Sequence, residues 1–356
     1  MPADQTIIRT DMAGKSSFAF GVIAFGVIMA ICYFAASVIE TTLVSIILAI
    51  FLDPLVEALV RIRMPRALAA FIVVILLVAI VGVASFFLYN RVQDFARDLP
   101  RYSNTIRSTV MNVRRRIEHF ERQTEQVIPR SPERVQTVTV TETSLLSRYL
   151  FPGVQTAANV LLMITFIPFL VFFMLSWKEH LRRTAVEAFS EADQPGVANG
   201  LKSIATTMRG YLVGNIVVGL ILSAASSLLF FILGLQFRIV LGLLSGFLSL
   251  VPYLGVLLAI AGPVVVAMPY IRTVPPYIIL IGTLITFHII ALNVLFPKIV
   301  GARVKMNPVA VTLALLVWGW MWGAMGLILA VPIAAGAKAV CDSFRGLKKY
   351  GRLLGE

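Results

Sequence analysis

Charge is scarce in this sequence. Asp, Glu, Lys and Arg make up 14% of the 356 residues, against roughly 25% in a soluble globular chain. Hydrophobic residues make up 58%, and the mean hydropathy is +0.88. That leaves too little polar surface to cover a water-exposed globule, so the chain is read as an all-α integral membrane protein. Soluble enzymes, disulfide scaffolds and disordered proteins are excluded on the same ground. Cysteine is nearly absent: Cys32 and Cys341 lie in or beside apolar segments, cannot build a disulfide framework and suggest no redox chemistry.

Motifs for catalysis are missing as well. A phosphate-binding loop needs Gly four residues before Gly-Lys-Ser, but Gly14-Lys15-Ser16 has Arg9 at that position. No ATP engine is encoded, so any pumping is secondary or depends on a partner. There is no HExxH, no spaced Cys/His cluster and no GxSxG. Neither an enzyme, a cofactor nor a metal site is expected. Acidic residues are absent from Gly210 to Ala337. A proton- or sodium-coupled site usually employs a buried carboxylate, because its charge binds the cation and its protonation can be switched. Only Glu40, Asp53 and Glu57, near the ends of early apolar segments, and His288, the one histidine inside a span, are placed to carry coupling. The alternatives are backbone carbonyls at helix breaks, interfacial positioning of the acids, and a histidine satisfied by one interhelical hydrogen bond.

What is present is a series of long apolar runs. Phe18–Ile39 is uncharged over 22 residues and, at about 1.5 Å per residue, reaches ~33 Å, enough to span. Thr41–Val60, Ala67–Asn90, Leu150–Trp177, Tyr211–Gln236 and Thr273–Pro297 complete about six spans. Two runs do not fit. Residues 239–271 hold 33 uncharged residues and Met306–Ala337 holds 32. Each would be ~50 Å as straight helix, against a hydrocarbon core of about 30 Å. Pro252, Gly255 and Gly262-Pro263 interrupt the first; Gly319, Gly323 and Gly326 break the second, with Pro332 beyond. Both are expected to be broken hairpins that enter and leave by one face, a single bent span being the alternative. Non-helical backbone at membrane depth survives only where protein or water covers it.

The two runs resemble each other. GVLLAIAGP (Gly255–Pro263) matches GLILAVP (Gly326–Pro332), and each follows an ordinary span. A twice-used unit of span plus hairpin predicts an inverted repeat with its site where the repeats meet, a recurring transporter plan. The chain divides into N-terminal spans (1–90), an amphipathic polar insert (91–149), a fourth span (150–177), an amphipathic cytoplasmic linker (178–209), a transport core (210–340) and a basic tail (341–356). In the insert, apolar residues from Val92 to Phe120 recur at three- and four-residue steps, with Pro100 expected to kink or restart the helix. VQTVTVTET alternates like a short strand or extended loop. The net charge of +13 is attributed to basic loops on the cytoplasmic side, not to nucleic acid. With the N-terminus inside, 18 basic residues fall in the cytoplasm and 13 outside, and both termini are cytoplasmic.

Polar groups near the breaks are few and neutral: Ser245, Ser249, Tyr253, Asn293 and Asn307, with Trp318, Trp320 and Trp322 at the second break. Such a lining suits an uncharged, hydroxyl-bearing small molecule held by hydrogen bonds and stacking. An interfacial belt is the other reading of the tryptophans.

FLSLVPYLGVLLAIAGP and NVLFPKIVGARVKMNPVAVTLALLVWGWMWGAMGLILAVPIAA, with MPRALA at Met64–Ala69 and the polar insert after the third span, resemble the autoinducer-2 exporter family of multi-pass permeases. The resemblance covers roughly residues 18–340. It implies a bacterial inner-membrane transporter, a homo-oligomer (the family includes pentamers) and a mobile transport domain built from the hairpins. It also implies either export of the quorum-sensing signal autoinducer-2 or sodium or lithium/proton antiport. The carried-over positions are Pro252, Tyr253, Gly255, Pro297, Lys298, Gly301, Asn307, Pro308, Gly323, Gly326 and Pro332, the prolines and glycines as setters of backbone shape. The expected partners are the lipid bilayer, a small-molecule solute and a coupling proton or sodium ion. A membrane scaffold that transports nothing is the remaining reading.

Overall fold

The computed structural model describes residues 23–24, 26–125, 154–251, 255–271, 273–300, 306–343 and 348–355. Among these, helix is the only regular structure. In chain order they form α1 (residues 26–34), α2 (Ala36–Arg61), α3 (Arg66–Glu125), α4 (Val154–Ser176), α5 (Lys178–Glu187) and α6 (Gln194–Ile232). Then follow α7 (Arg238–Leu248), α8 (Gly255–Ala267), α9 (Val274–Ile290), a π-helical stretch (Ala291–Val300), α10 (Pro308–Ser343) and α11 (Lys348–Leu354). VQTVTVTET, Pro252, Tyr253, Gly301 and Arg272 lie outside the described residues.

Five helices are long and apolar enough to cross a membrane, and a sixth span forms if α4 is joined to α5 across a bend of 73°. α3 runs without interruption from the third apolar segment to Glu125, passing through Pro100. The missing N–H there removes one backbone bond but does not end the helix. α6 likewise starts at Gln194, with Pro195 in its first turn where no N–H is needed, and continues to Ile232. The outward faces carry large apolar side chains such as Phe34, Val83, Phe86 and Ile232, the expected surface of a helix in lipid.

The chain forms two units. The first comprises residues up to Val74, Asn159–Met208 and Lys305–Glu356. It contains α10, which is helical in two arms but has φ 59° and ψ −133° at Gly323, a conformation open only to glycine. The chain doubles back there: Gly326 meets the carbonyl of Trp318, and Gly319 faces the Leu327 side chain. The 35-residue stretch that length alone would admit as one crossing is therefore a hairpin. It seats on α1 and α2 through Met321, Trp322 and Leu329, packed against Met29, Cys32 and Leu43. Trp322 Nε1 donates to the carbonyl of Cys32 at 3.0 Å.

The second unit comprises Ile75–Ala158 and Arg209–Val304. Its hairpin is α7–α8. Helices of 11 and 13 residues reach only about 16 and 20 Å, well short of the ~30 Å core, so neither arm can cross. Ser245 Oγ donates to the Ala259 carbonyl across the arms at 3.0 Å. Gly255 meets the Leu248 carbonyl at the turn. The first arm sits on α6 through Gly242 against Ser227 and Gly246 against Ser223, a small-residue contact that lets backbones approach in lipid. Gly262-Pro263, expected to interrupt the run, instead lies inside α8. Pro263 there stands in the third turn, and the break falls earlier, after Leu248. A core of Phe230, Leu235, Ala267, Leu280 and Leu284 holds the hairpin to α6 and α9.

Candidate functional site

In the second unit a cleft forms between α6, the two arms of the hairpin and α9. Its polar side chains are Ser226, Ser245, Ser249 and His288; the rest of its lining is apolar and includes Leu222, Ile260 and Phe287. Its enclosed volume is about 10 Å³, room for about one water and far below the ~300–1,000 Å³ of ordinary ligand pockets. Ser245 is buried and spends its hydrogen on Ala259 O. Ser249 Oγ donates to Gly246 O at 2.8 Å. His288 Nδ1 is buried and has no hydrogen-bond partner among the described residues.

His288 stands three positions before the π-helical stretch Ala291–Val300. π-Turns are rare and recur at functional sites. This one contains Pro297, and its first residue, Ala291, packs with Val218 and Leu222 of α6. Asn293, expected to face a solute, donates from Nδ2 to the Ile289 carbonyl of its own helix at 2.9 Å. Lys298 is exposed.

The first unit holds a second polar constellation. Asp53 and Glu57 stand one turn apart on α2. Arg66 reaches Asp53 Oδ1 at 3.3 Å and Glu57 Oε1 at 3.4 Å. Lys178 Nζ lies 2.9 Å from Asp53 Oδ1 and 3.0 Å from Glu57 Oε1. Arg66 Nε also donates to the Leu175 carbonyl at 2.9 Å, satisfying an acceptor in the last turn of α4. Two carboxylates thus face two cations, and α2, α3 and the α4–α5 bend are tied at one point. Glu40, half-buried on α2, belongs to neither constellation.

Asn307 and Pro308 open the second hairpin rather than line a pocket. Asn307 Oδ1 accepts the Val309 N–H at 2.9 Å, capping α10, and Pro308 takes the first helical position. The Asn307 N–H donates to the Leu354 carbonyl at 3.0 Å. Trp320 is 80% exposed and stacks on Tyr33 with ring centroids 6.1 Å apart. Pro332 is buried inside the second arm.

Of the residues singled out in the sequence, then, Ser245, Ser249 and His288 come together. Asp53 and Glu57 come together elsewhere, on partners the sequence did not indicate. Ser226, Arg66 and Lys178 were missed. Two acids four residues apart within an apolar helix were a usable signal that cations must lie nearby. Nothing local marked Ser226 among the other serines of α6.

Helices of spanning length with apolar outer faces define a multi-span membrane protein. The chain belongs to the AI-2E transporter family, whose profile matches residues 22–346. It is 26% identical over 326 residues to "Putative transport protein YrrI" of Bacillus subtilis (strain 168), covering 86% of this chain and 88% of the relative. It is 26% identical over 343 residues to "Putative transport protein YhhT" of Escherichia coli (strain K12), covering 92% and 91%. It is 24% identical over 329 residues to "AI-2 transport protein TqsA" of the same strain, covering 91% of each chain.

Proposed function

We propose that this protein is a secondary transporter of the bacterial inner membrane that exports a small polar metabolite, with autoinducer-2 or a similar hydroxylated solute as the substrate class. The observation that carries the reading is the α7–α8 hairpin: two apolar arms, each too short to cross, closing over a cleft with serine hydroxyls and an imidazole whose Nδ1 has no partner among the described residues. A scaffold has no need of a half-length hairpin with polar groups buried behind it. The name of the TqsA relative supports the substrate class. The cleft is smaller than a metabolite site, so it serves the solute only in a more open conformation. Alternating access moves the hairpins while the spans stay in place. The protein works as a homo-oligomer, a pentamer by family likeness, with both termini in the cytoplasm.

Metabolite profiling of cells with and without the gene tests this, followed by efflux from vesicles containing the purified protein. Retention of one polar solute in the deleted strain, and its movement by the vesicles, supports the proposal. Vesicles that move no organic solute but exchange sodium or lithium for protons would replace it with antiport. His288 is the observation that favours this second reading.

A further inference from the structure

We propose that the cleft behind the α7–α8 hairpin is a proton-binding site, in which Nδ1 of His288 takes the proton and one water links it to the hydroxyls of Ser226, Ser245 and Ser249. This rests on the transporter reading and names the coupling species of that same site.

The argument is one of donors and acceptors. Ser245 and Ser249 both commit their hydrogens to helix carbonyls, Ala259 O and Gly246 O. What they offer the cleft is lone pairs. With its hydrogen on Nε2, His288 also offers a lone pair from Nδ1, and that atom is buried with no partner among the described residues. These groups are therefore acceptors short of a hydrogen. Protonation supplies it: Nδ1 takes a proton from hydronium, a water is released, Nε2 keeps its own hydrogen, and the imidazole goes from neutral to a single positive charge. The cleft has room for about one water, which is enough to bridge groups too far apart to bond directly.

The surroundings restrict the ligand. Among the described residues no carboxylate lines the cleft, so a divalent or bare metal cation would find no counter-charge there. The other ionisable groups on α6, α7, α8, α9 and the π-helical stretch are Lys202, Arg209, Tyr211, Arg238, Tyr277 and Lys298, and none is among the residues that line it. Arg238 sits over the Phe231 ring, 4.5 Å from its centroid. Tyr277 donates to the Ile271 carbonyl at 3.0 Å. His288 and Ser226 belong to α9 and α6, whereas Ser245 belongs to the first arm and Ser249 caps its end. A proton held between them joins the hairpin to the helices it rests on, so loading and unloading change how firmly the hairpin is seated.

The test uses the full chain in lipid vesicles with ¹⁵N-labelled histidine. His119→Gln and His180→Gln leave His288 as the only imidazole. Nitrogen NMR is followed from about pH 8 to about pH 5, the range in which histidine changes charge. The proposal expects Nδ1 to pass from a bare to a protonated signal. Ser245→Ala and, separately, Ser249→Ala should each lower the proton affinity by roughly three- to tenfold, the scale of losing an ordinary hydrogen bond, because each serine reaches the imidazolium only through the water. His288 staying neutral throughout, a titration that neither serine change moves, or one that follows sodium rather than pH would each overturn it. Because solute movement is not the readout, failure here leaves the exporter reading standing. Vesicles that move no solute while His288 titrates as expected would sink that reading and keep the site.

Discussion

Gly326 lies against the carbonyl oxygen of Trp318, eight positions earlier in the chain, with no space for a Cβ between them. Gly255 meets the carbonyl of Leu248 in the same way. These two glycines are the first residues of the matching sequences GVLLAIAGP and GLILAVP. The similarity between the runs therefore corresponds to a shared backbone contact: in both, a glycine at the start of the returning arm allows the chain to reverse.

Gly326→Ala is expected to destabilise the protein by about 1–3 kcal/mol, because a methyl group must displace backbone rather than a yielding side chain. Gly255→Ala should act alike, and Gly282→Ala, where nothing lies within 4 Å, should not. Thermal unfolding in detergent of the three variants side by side checks this. Equal midpoints for all three would show that the reversals do not depend on these contacts.

Asp53→Asn leaves Arg66 and Lys178 facing Glu57 alone. Asp53 is 7% exposed, and removing one partner of a buried pair costs roughly 3–5 kcal/mol. Partial exposure of the cations puts the expectation at the low end. The Glu57 side chain is 39% exposed, so Glu57→Gln should cost under about 1 kcal/mol. If these acids only tie helices together, Glu57→Gln retains transport, measured as efflux from vesicles. Loss of efflux in a variant of normal stability would instead make Glu57 part of the coupling path.

Trp322→Phe keeps the ring in the core beside Met321 and Leu329 but removes the donor to Cys32 O. A loss of about 1 kcal/mol is expected. Trp320→Phe, at an exposed ring, should change the unfolding midpoint much less. Reversal of that order would mean the stack on Tyr33 matters more than the buried hydrogen bond.

Sidedness checks the first hairpin in a membrane. Cysteines replacing Arg238 and Arg272 should react with an impermeant reagent from one side, and a cysteine replacing Lys298 from the other. Cys32→Ser and Cys341→Ser provide the background. Labelling of Arg238 and Arg272 positions from opposite sides would mean that the segment between them crosses.

Spans and breaks were legible because both are written in local sequence: apolar length for the spans, and a run too long for one crossing and too short for two. The position of a break was less so. Gly262-Pro263 looks like an interruption, yet Pro263 is accommodated inside α8, while the first arm ends at Leu248 and the second begins at Gly255. Proline removes one N–H, and a helix in a packed hairpin tolerates that. The site was legible only as a set of residue types. Ser245, Ser249 and His288 could be named, but their meeting depends on α7 folding back beside α6, a long-range event set by Gly242 and Gly246 against two serines. Asn293 looked equally suitable and bonds its own helix instead. The partners of Asp53 lie 13 and 125 positions away in sequence, beyond any local pattern.

α11 returns to the foot of the second hairpin, where Leu354 accepts from the Asn307 N–H and Gly351 packs against Asp342. Proteolytic trimming of α11 would therefore strip the residue that caps α10 of one of its backbone partners, and the damage would be read in the hairpin rather than in the severed segment.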